Sequence, residues 1–317
     1  MASHDDRRDR GRLWAVTSYY NPVPYRRRLD NYRIFRERLA LPLLTVELAY
    51  RAPELAPGDA DILVQIPGRD VMWQKERLLN LAVAALPPEC DRVAWLDCDV
   101  VFADGSWAER LDRKLEECVV VQPFSLVRYL GRDWVPGMAS EAATEFTRTS
   151  VVAAIESGVP RPEVLAKQLG DRRKTFSTGF AWAARREIVQ RHGLYDAAIV
   201  GTGDRLFASA AFDCADAAAD LFMMSEVRRR HYKAWAEPFS SELAGRVGLI
   251  EGEISNLWHG EMANRGSRLR HEALRDFDYD PFSDIALGEE GAWRWASDKP
   301  ALHAYLRDYF VGRREDG

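Results

Sequence analysis

A chain of 317 residues has room for one large α/β domain or two small ones. Hydrophobic residues make up 47% of it and charged residues 29%, an ordinary composition for a protein that buries a sizeable core. The net charge of -5 argues against a general surface for polyanions, so nucleic acid is a disfavoured partner.

The cysteines and the ends of the chain indicate where the protein works. The four cysteines have neither CxxC spacing nor the density of a disulfide scaffold, which favours a reducing compartment. Residues 1–12 are charged, and no run of about 18 apolar residues occurs, so the sequence predicts neither a secretion signal nor a transmembrane helix. We expect a cytoplasmic protein with charged tails at 1–12 and 311–317 and one domain at 13–310.

Short apolar runs alternate with amphipathic stretches in the first part of the chain. Strands are predicted at residues 13–18, 43–48, 62–66, 93–96 and 119–121. Helices are predicted at 25–40, 73–86 and 107–117, the first of which repeats apolar residues every three or four positions. This alternation is typical of an α/β, Rossmann-like fold in which helices flank a mostly parallel sheet.

The pattern is less regular further along. Strands are predicted at 179–183 and 247–254, and helices at 141–156, 185–192, 217–235 and 266–275. Gly193 follows the helix at 185–192 as a C-cap glycine would. Neither an internal repeat nor a linker divides the chain, so we expect a single domain.

The strand VAWLDCDV (93–100) ends in two acids, Asp97 and Asp99. A strand places residues two apart on the same side, and open α/β sheets bind ligands at the carboxyl ends of their strands. The two carboxylates can therefore bind one charged ligand, which we interpret as a divalent cation. The alternative is a strand-end turn in which these acids only cap loop amides.

This strand resembles the DxD element of GT-A glycosyltransferases. The preceding run WQKERLLN (73–80) is similar to the nucleotide-side helix of β-1,4-galactosyltransferases, where a basic residue precedes Leu-Leu-Asn, and Lys75 takes that basic position. The resemblance implies a GT-A fold that binds a nucleotide sugar. We expect the nucleotide to contact Thr17, Tyr19, Lys75, Arg77, Asn80 and Asp97.

Three later stretches resemble motifs of this family and occur in the same order along the chain. The run GFAWAARRE (179–187) resembles its donor-sugar strand, which implies contacts with the donor sugar or the acceptor. GTGD (201–204) resembles its acidic acceptor-side motif, which implies a catalytic acid. WHG (258–260) resembles the late histidine that gives the metal its third protein ligand. The residues implied are Gly179, Phe180, Trp182, Gly203, Asp204 and His259.

The sequence departs from the galactosyltransferase pattern around the acid. That pattern places the base within a Glu-Asp-Asp run, whereas Gly203 and Arg205 flank Asp204 here. The acceptor and the transferred sugar therefore stay open. Each residue also has a structural interpretation: Trp182 as core, His259 as a hydrogen-bonded histidine, Asp204 as an N-cap, and the charges at 73–86 as a solvated face.

The implied reaction moves a sugar from a nucleotide diphosphate sugar, a UDP-sugar by resemblance, onto a hydroxyl of a saccharide or glycoconjugate. Breaking the bond from C1 to the diphosphate releases negative charge, which a divalent ion neutralises. Carboxylate, imidazole and phosphate ligands suit Mn²⁺, with Mg²⁺ as a substitute. We assign Asp99 and His259 to the metal, and Asp97 to the ribose or to the metal through water. Asp204 takes the acceptor's proton, which implies inversion.

Two other functions stay open. A nucleotidyltransferase also sets acids at the end of a parallel sheet, but no Gly-rich loop follows the first strand, where TSYY (17–20) stands. A binding module would keep the fold without turnover. The basic run RRRHYK (228–233) is either a solvated helix face or a contact for an anionic acceptor.

Overall fold

The computed structural model describes residues 12–165, 176–265 and 269–317. The strands are β1 (Arg12–Tyr20), β2 (Leu43–Ala49), β3 (Ile62–Pro67), β4 (Cys90–Leu96), β5 (Val100–Phe102), β6 (Val120–Gln122), β7 (Leu126–Leu130), β8 (Thr144–Thr149), β9 (Ala181–Arg185), β10 (Val247–Leu249), β11 (Glu253–Asn256), β12 (Ile285–Leu287) and β13 (Trp293–Trp295). The helices are α1 (Arg26–Arg38), α2 (Lys75–Ala84), α3 (Trp107–Glu117), α4 (Val151–Glu156), α5 (Arg161–Leu165), α6 (Arg186–His192), α7 (Gly203–Ala211), α8 (Ala215–Leu221), α9 (Glu226–Leu243), α10 (Leu269–Asp276) and α11 (Pro300–Gly312).

Seven strands form the central sheet, in the order β10-β6-β9-β4-β1-β2-β3. The pairs β1–β2, β1–β4, β2–β3 and β6–β10 are parallel, and β9 runs antiparallel to β4 and β6. The predicted α/β fold, a mostly parallel sheet flanked by helices, is confirmed.

Both faces of the sheet are covered, as alternate residues of β1 show. Trp14 and Val16 enter one hydrophobic core with Leu78 of α2, whereas Leu13 and Ala15 enter another with apolar residues of α1 and α3. A strand buried on both faces has a continuous apolar sequence, which is why residues 13–16 were recognisable.

The helix predicted at 141–156 is wrong in its first part. Only a short 3-10 helix (Glu141–Ala143) precedes β8, which pairs with β7, and α4 follows. Threonine, which β8 carries at Thr144, Thr147 and Thr149, favours strands because its branched side chain packs well on a pleated surface. Together β5, β11, β7 and β8 form a second sheet.

Two further predictions merged elements that the structure separates. The strand predicted at 247–254 is two strands, because β10 belongs to the central sheet and β11 to the second one. The helix predicted at 217–235 is interrupted after α8, where Met223 has φ 47°, and resumes as α9. The predicted helix at 266–275 corresponds to α10, and residues 266–268 lie outside the described residues.

The ends of the chain were predicted as tails. Residues 1–11 lie outside the described part of the chain. At the other end, Glu315 is fully buried, and its carboxylate pairs with Arg28 and Arg313. Of the helices that the structure describes, none is both long and apolar enough to cross a bilayer.

Candidate active site

The candidate site lies where the order of the central strands reverses. Strand β1 has β2 on one side and β4 on the other, both parallel to it, which opens a crevice at their carboxyl ends. Thr17 of β1 donates a hydrogen bond of 2.7 Å to the carbonyl of Leu96, the last residue of β4. Asp97 follows directly, so the DxD acids leave the sheet at this crevice.

Lys75, at the start of α2, joins two acids that are far apart in the sequence. Its Nζ lies 2.5 Å from Oδ1 of Asp97 and donates to both carboxylate oxygens of Asp204, at 2.9 and 2.8 Å. The lysine is buried, and these two acids raise its pKa well above the usual range against the effect of burial. Burial raises the pKa of Asp204, and Lys75 opposes that shift.

The N-cap interpretation of Asp204 is not supported by the helix geometry. The cap of α7 is Thr202, with φ 75°, and Asp204 lies one residue inside the first turn with its carboxylate on Lys75. Gly179 lies against this carboxylate, because a Cβ there would be 3.0 Å from Asp204 Oδ2. The carbonyl of the next residue, Phe180, accepts a 2.7 Å hydrogen bond from the Asp97 amide.

Asp99 contacts the late histidine. His259 Nδ1 lies 3.2 Å from Asp99 Oδ2 and 2.9 Å from the Leu257 carbonyl, an acceptor that requires the hydrogen to be on Nδ1. Nε2 is then the lone-pair nitrogen, and it accepts from Arg265 Nη2 at 2.5 Å. Burial, and then Asp97, raise the pKa of Asp99 to about 7. Burial, and then Arg265, lower that of His259 well below its usual range.

Glu76 is a buried acid at the site that sequence reasoning did not single out. Trp73 Nε1 donates to its Oε2 at 3.1 Å, and its Oε1 is enclosed with no hydrogen-bond partner among the described residues. Burial raises the pKa of Glu76 to about 8. A Cβ on Gly203 would overlap this side chain, so a glycine is needed where α7 approaches α2.

Other predicted site residues have structural contacts. Arg77 and Asn80 bind Asp196, at 3.1 and 3.0 Å, and so hold the loop before α7. The Tyr19 hydroxyl donates to Glu54 at 2.5 Å, and the ring is 1% exposed. Trp182 is fully buried and donates to the Thr178 carbonyl at 2.8 Å.

The residue types at the Asp99–His259 pair fit a divalent ion. A carboxylate and a neutral imidazole are ligands that Mn²⁺ accepts, and ions of this kind take further ligands from substrate phosphates. Within the described ranges, no three His, Cys, Asp or Glu side chains converge on one point. The cation at the lone pair of His259 is instead the guanidinium of Arg265.

Arg265 was missed, and the sequence carries no signal that would have found it. It lies six residues after His259 and ends a 3-10 helix (Met262–Arg265). No periodic pattern in so short a helix indicates which way a side chain points. Glu76 could have been found, because it is an acid among the apolar positions of a predicted amphipathic helix.

Neither a protein-family model nor a curated protein matches the chain. Among similar solved structures is glucosyl-3-phosphoglycerate synthase from Mycobacterium tuberculosis with Mn²⁺, UDP and phosphoglyceric acid, at 14% identity and a TM-score of 0.43, covering 87% of this chain and 82% of that one. Another is a variant of Drosophila β1,4-galactosyltransferase 7 with manganese, UDP-Gal and xylobiose, at 12% and 0.32, covering 64% and 62%. A third is 4-diphosphocytidyl-2C-methyl-D-erythritol synthase from Anaerococcus prevotii, at 12% and 0.37, covering 77% and 88%. At these values neither the reaction nor the substrate follows from the likeness.

Proposed function

We propose that the protein is a glycosyltransferase that moves a sugar from a nucleotide diphosphate sugar, a UDP-sugar, onto a hydroxyl of a saccharide or glycoconjugate. The observation that carries the proposal is the meeting of motifs that are distant in the sequence. Lys75 binds Asp97 and Asp204, and the carboxylate of Asp204 lies beside Gly179. His259 contacts Asp99. The stretches of sequence that resemble GT-A motifs, and that follow one another in the same order as in that family, are thus neighbours at the carboxyl end of β4.

In this proposal Asp204 accepts the proton of the acceptor hydroxyl as its oxygen attacks C1 from the face opposite the diphosphate, so the reaction inverts the anomeric centre. Burial raises the pKa of Asp204, which makes its carboxylate a stronger base than an exposed one. Lys75 contacts both of its oxygens and so fixes the direction in which the carboxylate faces.

The nucleotide diphosphate needs positive charge as it leaves. Asp99 and His259 would hold a divalent ion, Mn²⁺ or Mg²⁺, which would neutralise that charge. Asp97 is bound to Lys75, so we place it on the ribose or on the ion through water rather than directly on the ion.

A thermal-shift screen of nucleotides and nucleotide sugars, with Mn²⁺ and with chelator, tests the proposal, because a ligand that binds the folded state raises the melting temperature. We expect UDP or a UDP-sugar to stabilise the protein, and more strongly with Mn²⁺. GDP or CMP as the strongest ligand would overturn the uridine assignment.

A product assay then separates the three functions. A glycosyltransferase releases UDP from a UDP-sugar, whereas a nucleotidyltransferase releases pyrophosphate from a nucleoside triphosphate and a sugar phosphate. A binding module gives a thermal shift and releases neither product. Pyrophosphate release, or binding without turnover, would contradict the proposed reaction.

A further inference from the structure

The basic run 228–233 on α9 divides into exposed and buried residues. Arg229 and Lys233 pair at the surface with Asp216, at 3.2 and 3.1 Å, and Arg230 is exposed. Arg228 is only 6% exposed. The run is therefore a solvated face in part, and one of its arginines points into the protein.

Arg228 has no counter-charge in the part of the chain that the structure describes. No carboxylate pairs with it there, and its Nη1 is enclosed without a hydrogen-bond partner. A guanidinium stays protonated in proteins, so its charge needs compensation from another source. A buried charge without a partner is strongly unfavourable.

Arg228 lines a small cavity together with His271, which is 3% exposed. The Nδ1 of His271 is also enclosed, with no hydrogen-bond partner in the described ranges. The two tyrosine hydroxyls that line the cavity already have partners. The Tyr279 hydroxyl donates to the Ala197 carbonyl at 3.0 Å, and the Tyr195 hydroxyl lies 3.1 Å from His231 Nδ1. The described residues that line the cavity include no acid.

We propose that this cavity binds a small monovalent inorganic anion, chloride under ordinary conditions, between Arg228 and His271. The cavity volume is about 10 Å³, which accommodates the centre of one water-sized particle, and a polyatomic anion such as phosphate is too large. An anion there would neutralise Arg228 and accept from its free Nη1–H.

The site would also support the start of α7. Thr202, the N-cap of that helix, lines the same cavity, and its Oγ1 lies 3.2 Å from His271 Nε2. Gly203 and Asp204 follow directly in the chain. A bound anion would therefore stabilise the turn that presents Asp204 to Lys75, whatever reaction the protein catalyses.

Melting temperatures in sodium chloride and in sodium gluconate at equal ionic strength test the proposal. We expect wild type to melt at a higher temperature in chloride, with a saturable dependence on concentration. Arg228→Met removes the charge while keeping an unbranched apolar stem, and its melting temperature should not depend on the anion. Arg230→Met, on the exposed side of the same helix, should respond as wild type does.

Crystals of the wild-type protein grown in bromide give a second measurement that needs no variant. An anomalous peak between Arg228 and His271 is expected, because bromide scatters anomalously and water does not. A cavity with no such peak, or an equal response to chloride in wild type and Arg228→Met, would show that the cavity holds water only and would overturn the proposal.

Discussion

Lys75 binds Asp97 and Asp204 at once, at 2.5 and 2.8 Å, although 129 residues separate the lysine from the second acid. The lysine side chain is 10% exposed and those of the two acids 25% and 23%. This single ammonium is therefore the shared counter-charge of the acid after β4 and the acid at the start of α7, and it sets the distance between them.

Replacement of Lys75 by methionine should destabilise the fold, because it leaves two largely buried carboxylates without their shared counter-charge. Loss of one partner of a buried ion pair costs about 3–5 kcal/mol, and we expect a decrease of that order in the free energy of unfolding. Urea unfolding measures it. The matched control is Lys114→Met, which removes a surface pair with Glu117 and should cost less than about 1 kcal/mol. Equal losses in the two variants would contradict the neutralising role of Lys75.

Glu76 should make stability fall as pH rises. Its pKa is raised from 4.5 to about 8 in the fold, first of all by burial. Between these values the folded chain holds a proton that the unfolded chain has lost, so the free energy of unfolding decreases with increasing pH. Glu76→Gln cannot titrate and should flatten the profile between pH 5 and pH 8 by more than about 1 kcal/mol.

The measurement is urea unfolding at several pH values across that window. Asp99, whose pKa is raised in the same direction, leaves part of the slope in the variant. Exposed Glu109 on α3 provides the control, and Glu109→Gln should keep the wild-type slope. Parallel profiles for wild type and Glu76→Gln would show that Glu76 is not the titrating group.

Arg265 should compete with a divalent ion for His259. Its guanidinium occupies the lone pair of Nε2, and its own Nε has no hydrogen-bond partner among the residues that the structure describes. Burial, and then the charge of Arg313, disfavour the charged guanidinium there. Arg265→Gln should therefore bind Mn²⁺ about tenfold more tightly in the presence of UDP, a difference of about 1.4 kcal/mol. Titration of free Mn²⁺ by electron paramagnetic resonance measures this affinity.

Arg275→Gln, which removes an exposed arginine from α10, controls for the change in net charge and should leave Mn²⁺ affinity at the wild-type value. His259→Ala should lose Mn²⁺ binding. If it binds Mn²⁺ as wild type does, His259 is not a ligand. If Arg265→Gln gains nothing over Arg275→Gln, the competition does not exist, and the assignment of the ligands is unaffected.

The sequence was informative where chemistry follows from local pattern. A continuous apolar strand ending in Asp97 and Asp99 places these acids at the edge of a parallel sheet, because strand alternation and the position of ligand crevices are general rules. Element boundaries were harder to predict in the second half, where short strands in two sheets follow each other closely. The run 247–254 reads as one strand, and only tertiary pairing divides it between sheets.

The contacts that Lys75, Arg77 and Asn80 make with distant acids could not be predicted. Lys75 was expected to contact the nucleotide, and nothing local indicates that its ammonium also reaches Asp204. Arg77 and Asn80 are on the same helix, yet they hold the loop that contains Asp196. A helical pattern gives the face of a side chain, but the partner on that face depends on how the rest of the chain packs.

The substitution Asp204→Asn separates chemistry from structure at this site. The amide keeps the size of the carboxylate and one oxygen for Lys75, and Asp97 still neutralises the lysine, so the melting temperature and UDP affinity should stay near wild type. An amide cannot accept the acceptor's proton at neutral pH, and loss of a positioned base typically lowers the rate about 10²–10⁴-fold. Transfer from a UDP-sugar, measured as UDP release with an acceptor that supports turnover, should fall by that factor. Asp213→Asn, an exposed acid just beyond α7, should keep the wild-type rate. Near-normal transfer by Asp204→Asn would refute the base role and, with it, the argument for inversion, but it would not bear on the donor site that we propose at Asp97 and Asp99.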